Sequence, residues 1–490
     1  MENLPTQLAA EFLRDYRING NYSRERIARL AGMTVSDNAD VAESATRAFF
    51  AGLVEPLADS FERADVTLYN RLFAQMIQIC RADPRARALD SELNAFDLNS
   101  EEDLIARAEK LRGTTPLSGW RDWAKKLRRV IVLSRVTLGA DVAVTSVIIN
   151  RLKDCLPVPQ TVIGGAKLKE LFGGDAELSF REVNYARSGT MIERLLAWID
   201  LLASVREATA DLKTGEYLIF DPDTRLTQLG LVPMLGASNA NSHSDYLFFP
   251  SRESGGRGSQ SLGELTSLWL DRVFDQNVRT HPFVSLRPAD TEAASNLTSR
   301  FGRHNSQPIV TMNFGVGENS AKCLGNEFEQ SLVFSMIQHG AIVILDKGAS
   351  SEEIARAGRI VSAASRIERA GKGVRVVEMD EQCLTSLPES IDADLLTWNG
   401  RIGLLAALIS KSDLYIGYDS AGQHIAAALG VPCVDVFAGF ASGRFVERWS
   451  PTGTAETRVV TAGAGRGSGE LAERVTQHAI EMLQRKSPVS

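Results

Sequence analysis

The segment 419–424, DSAGQH, contains the residues of this chain whose types and spacing best suit the binding of an anion. It lies between an apolar run typical of a strand, 414–416, and an alanine-rich run, 425–429, that predicts a helix. Small residues let backbone N–H groups approach a ligand closely, and the N-terminus of a helix favours negative charge. The serine, glutamine and histidine side chains can donate hydrogen bonds there. The segment therefore predicts a phosphate site, with helix capping by its aspartate or serine as the alternative.

The elements that would position this segment recur along the chain after residue 129. Continuous apolar runs typical of buried parallel strands alternate with helical patterns, at 130–134, 161–164, 180–183, 217–220, 308–314, 341–345, 374–379 and 434–437. This alternation predicts an α/β fold with Rossmann-like sheets, which bind ligands beyond the carboxyl ends of their strands. Asp141 follows the first run and Lys322 follows the fifth, so both belong to that edge. Asp141 could instead cap the helix after it, and Lys322 could be an ordinary surface lysine.

The chain divides into three predicted domains. Residues 1–128 show only helical periodicity, which predicts an all-α domain, and two Rossmann-like domains are expected at 129–305 and 306–490. A stretch rich in Gly, Ser and Asn, 236–262, predicts a long surface loop. The polar stretch 300–307 is expected to connect the two sheets.

The composition limits the classes of function. The chain has 490 residues, 44% hydrophobic and 23% charged, which is typical of a globular protein with several domains. A formal net charge of −7 gives no support for nucleic-acid binding, and five cysteines without a CxxC pair disfavour a zinc site. Because we find neither a signal peptide nor an apolar run long enough to span a membrane, we expect a cytoplasmic protein. The basic cluster 121–129 would allow at most peripheral membrane contact.

The anion-binding segment and its surroundings resemble the D-[ST]-G-x-x-H-x-A-A-A-L-G-x-P signature of the family-9 glycosyltransferases, the bacterial heptosyltransferases. The match includes the aspartate, the serine, the histidine and the AAALG run, but Ala421 precedes Gly422 where the family has glycine first. The stretch 448–453, RWSPTG, matches the closing R-W-x-P-x-G of the family. The resemblance implies the GT-B fold, in which two Rossmann-like domains face a cleft and the final helix, here 469–485, crosses back to the first domain.

The resemblance also implies which residues bind a nucleotide-sugar donor. The signature turn would hold the diphosphate, a lysine after a glycine turn would reach its phosphates, and one of two adjacent glutamates would bind the ribose. These donor residues are Asn313, Gly315, Lys322, Glu352, Glu353, Asp419, Ser420, Gly422, Gln423 and His424.

On the acceptor side, the stretch LGAD at 138–141 is similar to the L-G-D of the first loop of the family. The resemblance implies that Asp141 is the general base for the acceptor hydroxyl, although Ala140 is inserted before it. Arg225 and Thr227 are the implied acceptor contacts. Asp221 and Asp223, one residue apart, suggest a DxD metal site, which we discount because transferases with two Rossmann-like domains generally act without a metal.

The implied function is a metal-independent glycosyltransferase that moves a heptose or hexose from a nucleoside-diphosphate sugar to a hydroxyl of a glycan or a protein. No cofactor beyond the donor substrate is expected. Two alternatives remain open: a nucleotide-sugar 2-epimerase of GT-B fold, and a non-catalytic nucleotide-binding scaffold. The helical domain is expected to serve self-association or recognition of a partner.

Overall fold

The computed structural model describes residues 3–112, 120–185, 189–234, 245–256, 258–302, 307–317, 319–369, 371–463 and 468–486. The predicted loop 236–262 and the predicted connection 300–307 lie partly outside the described residues. Within those ranges, no helix combines the length and the apolar character that crossing a lipid bilayer requires.

The described residues before Arg129 form helices, with π-helical and 3-10 turns between some of them. The helices are α1 Leu4–Asn19, α2 Arg24–Thr34, α3 Ala39–Phe49, α4 Glu55–Ala58, α5 Arg63–Arg81, α6 Arg87–Ala95, α7 Glu101–Arg112 and α8 Trp120–Ala124. Asn3 and Asn38 cap α1 and α3 by accepting a hydrogen bond from a first-turn N–H group. The apolar faces of these helices pack into a core that includes Phe49 and Phe73.

The first sheet is fully parallel and has the strand order β3-β2-β1-β4-β5. Its strands are β1 Arg129–Leu133, β2 Gln160–Gly164, β3 Leu178–Glu182, β4 Tyr217–Asp221 and β5 Tyr246–Phe248. The helices in this part of the chain are α9 Leu138–Ala140, α10 Ser146–Cys155, α11 Leu168–Phe172, α12 Met191–Thr209 and α13 Leu262–Phe274, followed by α14 Pro288–Ser299, which packs against α17 of the second sheet (residues 402–409). The stretch 236–262, predicted as a surface loop, thus contains the strand β5, whose residues are buried and pair in parallel with β4.

The helical region and the first sheet share one hydrophobic core. Ile131 and Leu133 of β1, Ile219 of β4 and several residues of α12 belong to the same buried cluster as the core of α1–α7. The helices therefore cover one face of the first sheet. Burial of apolar surface on both sides of this contact stabilises the arrangement.

The second sheet is also parallel, with the order β10-β11-β7-β6-β12-β13-β14. Its strands are β6 Ile309–Asn313, β7 Ile342–Asp346, β10 Val376–Asp380, β11 Leu395–Asn399, β12 Leu414–Tyr418, β13 Cys433–Phe437 and β14 Thr457–Thr461, and the short strands β8 Glu368–Arg369 and β9 Lys372–Gly373 form a hairpin beside it. Its helices are α15 Asn326–Gln338, α16 Ser351–Ala364, α17 Ile402–Ile409, α18 Ala421–Ala428, α19 Gly443–Trp449 and α20 Ser468–Lys486.

The last helix does not cross back to the first sheet, contrary to the prediction. Leu471, Val475 and Ala479 of α20 are buried in one cluster with α15 and the strands of the second sheet. The apolar face of α20 covers this side of its own sheet, which would otherwise be exposed to water. The two sheets meet where α9 packs against α18 and where α11 packs against α17.

Candidate active site between the two sheets

Each sheet has a switch point, at which the order of the strands reverses direction. In the first sheet, β2 and β4 flank β1 on opposite sides, and in the second sheet β7 and β12 flank β6. Ligands of open parallel sheets bind beyond the carboxyl ends of the strands at such switch points. The predicted site residues lie at the ends of β1, β4, β6, β7 and β12 or in the segments that follow these strands, so topology places them at the two switch points.

The loops of the two sheets are in contact. A Cβ placed on Gly139, in the loop region after β1, would lie 3.3 Å from Cδ2 of His424 and 3.4 Å from the Cα of Ala421. The start of α9 therefore lies against the first turn of α18. The predicted acceptor loop and the predicted donor turn are brought together in one cleft.

The turn between β12 and α18 leaves the N-terminus of the helix without a side-chain cap. Ser420 has the extended backbone of an N-cap residue, but its side chain makes no capping hydrogen bond. The carboxylate of Asp419 faces elsewhere, since Oδ1 accepts a hydrogen bond of 3.1 Å from Nε2 of Gln423 and Oδ2 pairs with Lys322. The capping alternative for these two residues is therefore wrong. The first N–H groups of α18 are suited to an anion.

Lys322 ends the 3-10 turn Ser320–Lys322 in the loop after β6, and its ammonium group lies at this helix end. It forms an ion pair with the Asp419 carboxylate and also donates a 3.2 Å hydrogen bond to the Asp419 carbonyl oxygen. An ammonium group has three N–H donors, so one remains for a ligand. Burial raises the pKa of Asp419, and Lys322 opposes that rise.

His424 is a neutral side chain in this site. Burial, and secondly the nearby Lys322, lower its pKa from 6.5 to about 3. The ring lies 3.3 Å, Nε2 to Nε2, from Gln423, which also donates a 3.2 Å hydrogen bond to the carbonyl oxygen of Trp449. A neutral imidazole can donate one hydrogen bond to a phosphate without adding charge.

Gly422 stands one position later than in the family signature for a steric reason. A Cβ at this position would overlap the hydroxyl of Tyr415, which projects from β12 beneath α18. Any side chain here would push the helix away from its strand. Gly422 therefore allows α18 to pack closely against the sheet.

Asn313 and Gly315 shape the loop after β6. The Gly315 N–H donates to Oδ1 of Asn313 at 2.9 Å, and Nδ2 of Asn313 donates to Oδ2 of Asp346 at 2.5 Å. Burial raises the pKa of Asp346 to about 7, the neighbouring Glu353 adds to the rise, and hydrogen bonds from the Gly348 N–H and Asn313 oppose it. The loop is thus built on a carboxyl group that titrates near neutral pH.

The Glu353 carboxylate binds backbone N–H groups of the same loop and of the turn before α16. Oε1 accepts hydrogen bonds from the N–H groups of Val316 and Gly317 at 3.0 and 3.2 Å, and Oε2 accepts from Ala349 and Ser350 at 3.0 Å each. These N–H groups outweigh the effect of burial and lower its pKa. Because both oxygens are occupied, Glu353 braces the loop, which corrects its predicted role in ribose binding.

The other glutamate of this pair, Glu352, is exposed in the first turn of α16. Its predicted contact with a ribose stays a prediction.

Replacing Asp346 with Asn is expected to remove a pH dependence of stability. The folded-state pKa of about 7 lies above the ordinary value of 3.8, so the stability that Asp346 contributes is present below pH 4 and is lost as the pH rises through 7. Between pH 5 and pH 7 the native chain should lose about 2 kcal/mol of unfolding free energy relative to Asp346→Asn. Urea denaturation at both pH values measures this difference. The exposed Glu352→Gln should follow the native chain, and equal slopes for Asp346→Asn and native chain would contradict the assignment.

Asp141 is enclosed by the loop after β1. Its carboxylate accepts hydrogen bonds from the Ser134 hydroxyl at 2.8 Å, the Arg135 N–H at 2.7 Å and the Thr145 hydroxyl at 2.8 Å, and its exposed fraction is 1%. Burial raises its pKa to about 6, and these hydrogen bonds oppose the rise. The alternative that Asp141 caps the helix is wrong, because Thr137 is the cap of α9.

The insertion before Asp141 is absorbed by a π-helical turn, Asp141–Thr145. Such a turn accommodates one extra residue in a helix. This turn packs against α18 of the second sheet, so Asp141 belongs to a segment at the contact between the two sheets. The role of Asp141 as the general base for an acceptor hydroxyl stays a prediction.

The predicted acceptor contacts differ in their placement. Thr227 is fully buried, and its hydroxyl donates to Asp221 at 2.6 Å, so its predicted contact with an acceptor is corrected. Arg225 is half-buried in the same turn, and its predicted contact with an acceptor stays a prediction. Asp223 pairs with Arg252 at 2.9 Å. Across the described ranges, no group of three His, Cys, Asp or Glu side chains is arranged to hold a metal ion.

Sequence reasoning did not find that the helical region reaches the cleft. The ring of Phe61, between α4 and α5, lies 6.3 Å from the ring of Trp449, which in turn lies 6.0 Å from the ring of His424. The guanidinium of Arg135 lies 5.8 Å from the same Trp449 ring. Arg135 follows the end of β1 after one intervening residue, a position that marks it as a site residue, whereas Phe61 carries no such signal.

A family model matches the part of the chain that contains the signature turn. Residues 376–460, which contain the signature turn, match the family model described as glycosyltransferase family 9 (heptosyltransferase). No curated protein matches the chain.

Among solved structures, the chain is similar to a family-9 glycosyl transferase from Veillonella parvula, at 16% identity, a TM-score of 0.52, and coverage of 73% of this chain and 98% of that one. It is also similar to the ADP-heptose LPS heptosyltransferase II of E. coli, at 14% identity, a TM-score of 0.48, and coverage of 73% and 99%. The predicted resemblance to family 9 is confirmed by the family model, and with it the prediction of a glycosyltransferase. The predicted α/β fold of GT-B type is confirmed by the Veillonella structure.

Proposed function

We propose that this chain transfers a sugar from a nucleoside-diphosphate sugar to a hydroxyl group of a glycan or a protein, without a metal ion. The observation that supports it is the pairing of Lys322 with the uncapped N-terminus of α18 at a switch point of the second sheet. These are the features that stabilise a departing diphosphate.

The leaving group of such a transfer carries negative charge that grows as the bond to the sugar breaks. The ammonium group of Lys322 supplies a point charge, and the first N–H groups of α18 supply fixed dipoles, each already oriented before the reaction. Asp419 holds the lysine in place through two contacts, so little reorganisation is needed. His424 and Ser420 can add neutral hydrogen bonds.

Ligand-induced stabilisation tests the donor site. We expect one of ADP, UDP, GDP and CDP to raise the thermal midpoint of the chain, and a nucleoside diphosphate at about 100 times its dissociation constant stabilises by about 2.7 kcal/mol. The corresponding nucleoside, which lacks the diphosphate, should stabilise far less. No shift with any of the four would contradict the proposal.

The reaction itself is measured with the sugar nucleotides of the base that binds. Release of the nucleoside diphosphate, unchanged by EDTA, is the expected result. A sugar nucleotide that is epimerised would indicate the 2-epimerase. Binding without any turnover would indicate a scaffold.

A further inference from the structure

Helix α19 lies against the predicted diphosphate site. The ammonium group of Lys322 lies 5.4 Å from the centre of the Phe445 ring, and the Trp449 ring lies 6.0 Å from the ring of His424. Gln423 also donates a 3.2 Å hydrogen bond to the carbonyl oxygen of Trp449. Because the lysine after β6 and the first turn of α18 both contact α19, the position of this helix affects both parts of the site.

The helical region holds α19 through Phe61 and Glu62, which lie between α4 and α5. The guanidinium of Arg444 donates a 3.1 Å hydrogen bond to the carbonyl oxygen of Phe61 and pairs with the Glu62 carboxylate at 2.8 Å. The rings of Phe61 and Trp449 meet edge to face, with their centres 6.3 Å apart. These contacts join the helical region directly to a helix that lies between two strands of the second sheet in the chain.

Phe61 is not buried in the core of its own region. That core contains Phe49 and Phe73, whereas Phe61, with 3% of its surface exposed, belongs to the buried cluster that contains Phe445 and Val446 of α19. Its φ of 55° lies in the left-handed region, which phenylalanine rarely adopts. A residue keeps such a conformation only where the surrounding contacts fix it, and the contacts with α19 are of this kind.

The two ends of α19 are anchored by different parts of the chain. Arg448, in the last turn, is 1% exposed and donates hydrogen bonds to the carbonyl oxygens of Gly256, Gly258 and Gln260 at 3.1, 2.9 and 2.6 Å. Arg444, in the first turn, is bound by the helical region. The helical region therefore anchors the end of α19 that carries the contact with the donor lysine.

We infer that the helical region is part of the donor site, with Phe61 as a positioning residue that acts through α19 on the binding of the diphosphate. The inference rests on the proposed function. The contacts of Phe61 and Arg444 hold α19 where its rings pack against Lys322 and His424. Since these two groups contact the phosphates before and during the transfer, a displaced α19 lowers the affinity for the donor rather than the rate of the bound complex.

The test measures the dissociation constant of the nucleoside diphosphate, among ADP, UDP, GDP and CDP, that the native chain binds, and KM and kcat with its sugar nucleotide. Phe61→Leu removes the ring contact and keeps an apolar side chain. We expect the dissociation constant and KM to rise together by about 10- to 100-fold, as for a slight misplacement of binding groups, with kcat within about twofold. Arg444→Ala should act in the same direction, and Arg444→Lys, which keeps the charge opposite Glu62, should recover part of the loss.

Two controls separate positioning from a general loss of stability. Phe49→Leu removes a ring from the core of the helical region, and Arg272→Ala removes an exposed arginine of α13. Both should keep the native dissociation constant, whatever their thermal midpoints. The double variant Phe61→Leu/Trp449→Leu should bind no more weakly than Trp449→Leu alone, because the two residues act through one contact.

Native values of the dissociation constant and KM in Phe61→Leu and Arg444→Ala would overturn the inference. An equal loss of binding in Phe49→Leu, or independent effects of Phe61→Leu and Trp449→Leu, would overturn it as well. A native chain that binds none of the four nucleoside diphosphates would instead refute the proposed function, and the role of Phe61 with it.

Discussion

Replacement of Lys322 by alanine should reduce the release of nucleoside diphosphate by about 10²- to 10³-fold. Removing one preorganised donor to a developing charge has an effect of this size in other enzymes. Lys322 is the cation in contact with Asp419 at the start of α18, and its ammonium group is held there by two contacts. Thermal shift by the nucleoside diphosphate should weaken in the same variant, since the ground-state phosphate also loses this charge.

The substitution also leaves Asp419 buried without its cation, so its effect on folding must be separated from its effect on the reaction. The double variant Lys322→Ala/Asp419→Asn removes both charges and should recover stability without recovering turnover. Lys372→Ala, an exposed lysine of the β8–β9 hairpin, is the matched control and should leave both quantities unchanged. A native rate in Lys322→Ala would show that this lysine has no part in stabilising the leaving group.

Replacement of Gly417 by alanine should lower the unfolding free energy by about 1 to 3 kcal/mol and weaken donor binding with it. The new Cβ would overlap the hydroxyl of Tyr415 and lie 2.7 Å from the carbonyl oxygen of Asn313. Gly417 and Asn313 are paired in the register of β12 and β6, directly at the switch point of the second sheet. A backbone carbonyl cannot move aside as a flexible side chain can, so the two strands must separate.

Gly358→Ala provides the matched control, because nothing lies within 4 Å of a Cβ at this position in α16. Alanine is favoured over glycine in a helix, so this variant should be more stable than the native chain by about 0.5 to 1 kcal/mol. Thermal denaturation, with and without the nucleoside diphosphate, measures both variants. Equal stability of Gly417→Ala and the native chain would contradict the close approach of the two strands.

The strands and the donor turn were predictable because their signals are local. A buried parallel strand such as β12 reads as a continuous apolar run, and the switch from strand to helix at the signature turn occurs within a few residues. The roles of Glu353 and Thr227 were not predictable in this way. Each side chain is occupied by hydrogen bonds to groups that only the folded loop brings near it.

The amino-acid sequence by itself determined the two parallel sheets, the turn suited to a phosphate and the lysine that accompanies it, because periodicity, small residues and helix ends act over short stretches of chain. Only the tertiary structure decided which groups hold the carboxylates of the predicted site and that the helical region reaches the cleft. A π-helical turn absorbs the extra residue before Asp141, and packing of the helical region onto the first sheet brings Phe61 against Trp449 from a distant part of the chain. Such placements depend on contacts between distant segments, for which no short sequence pattern exists.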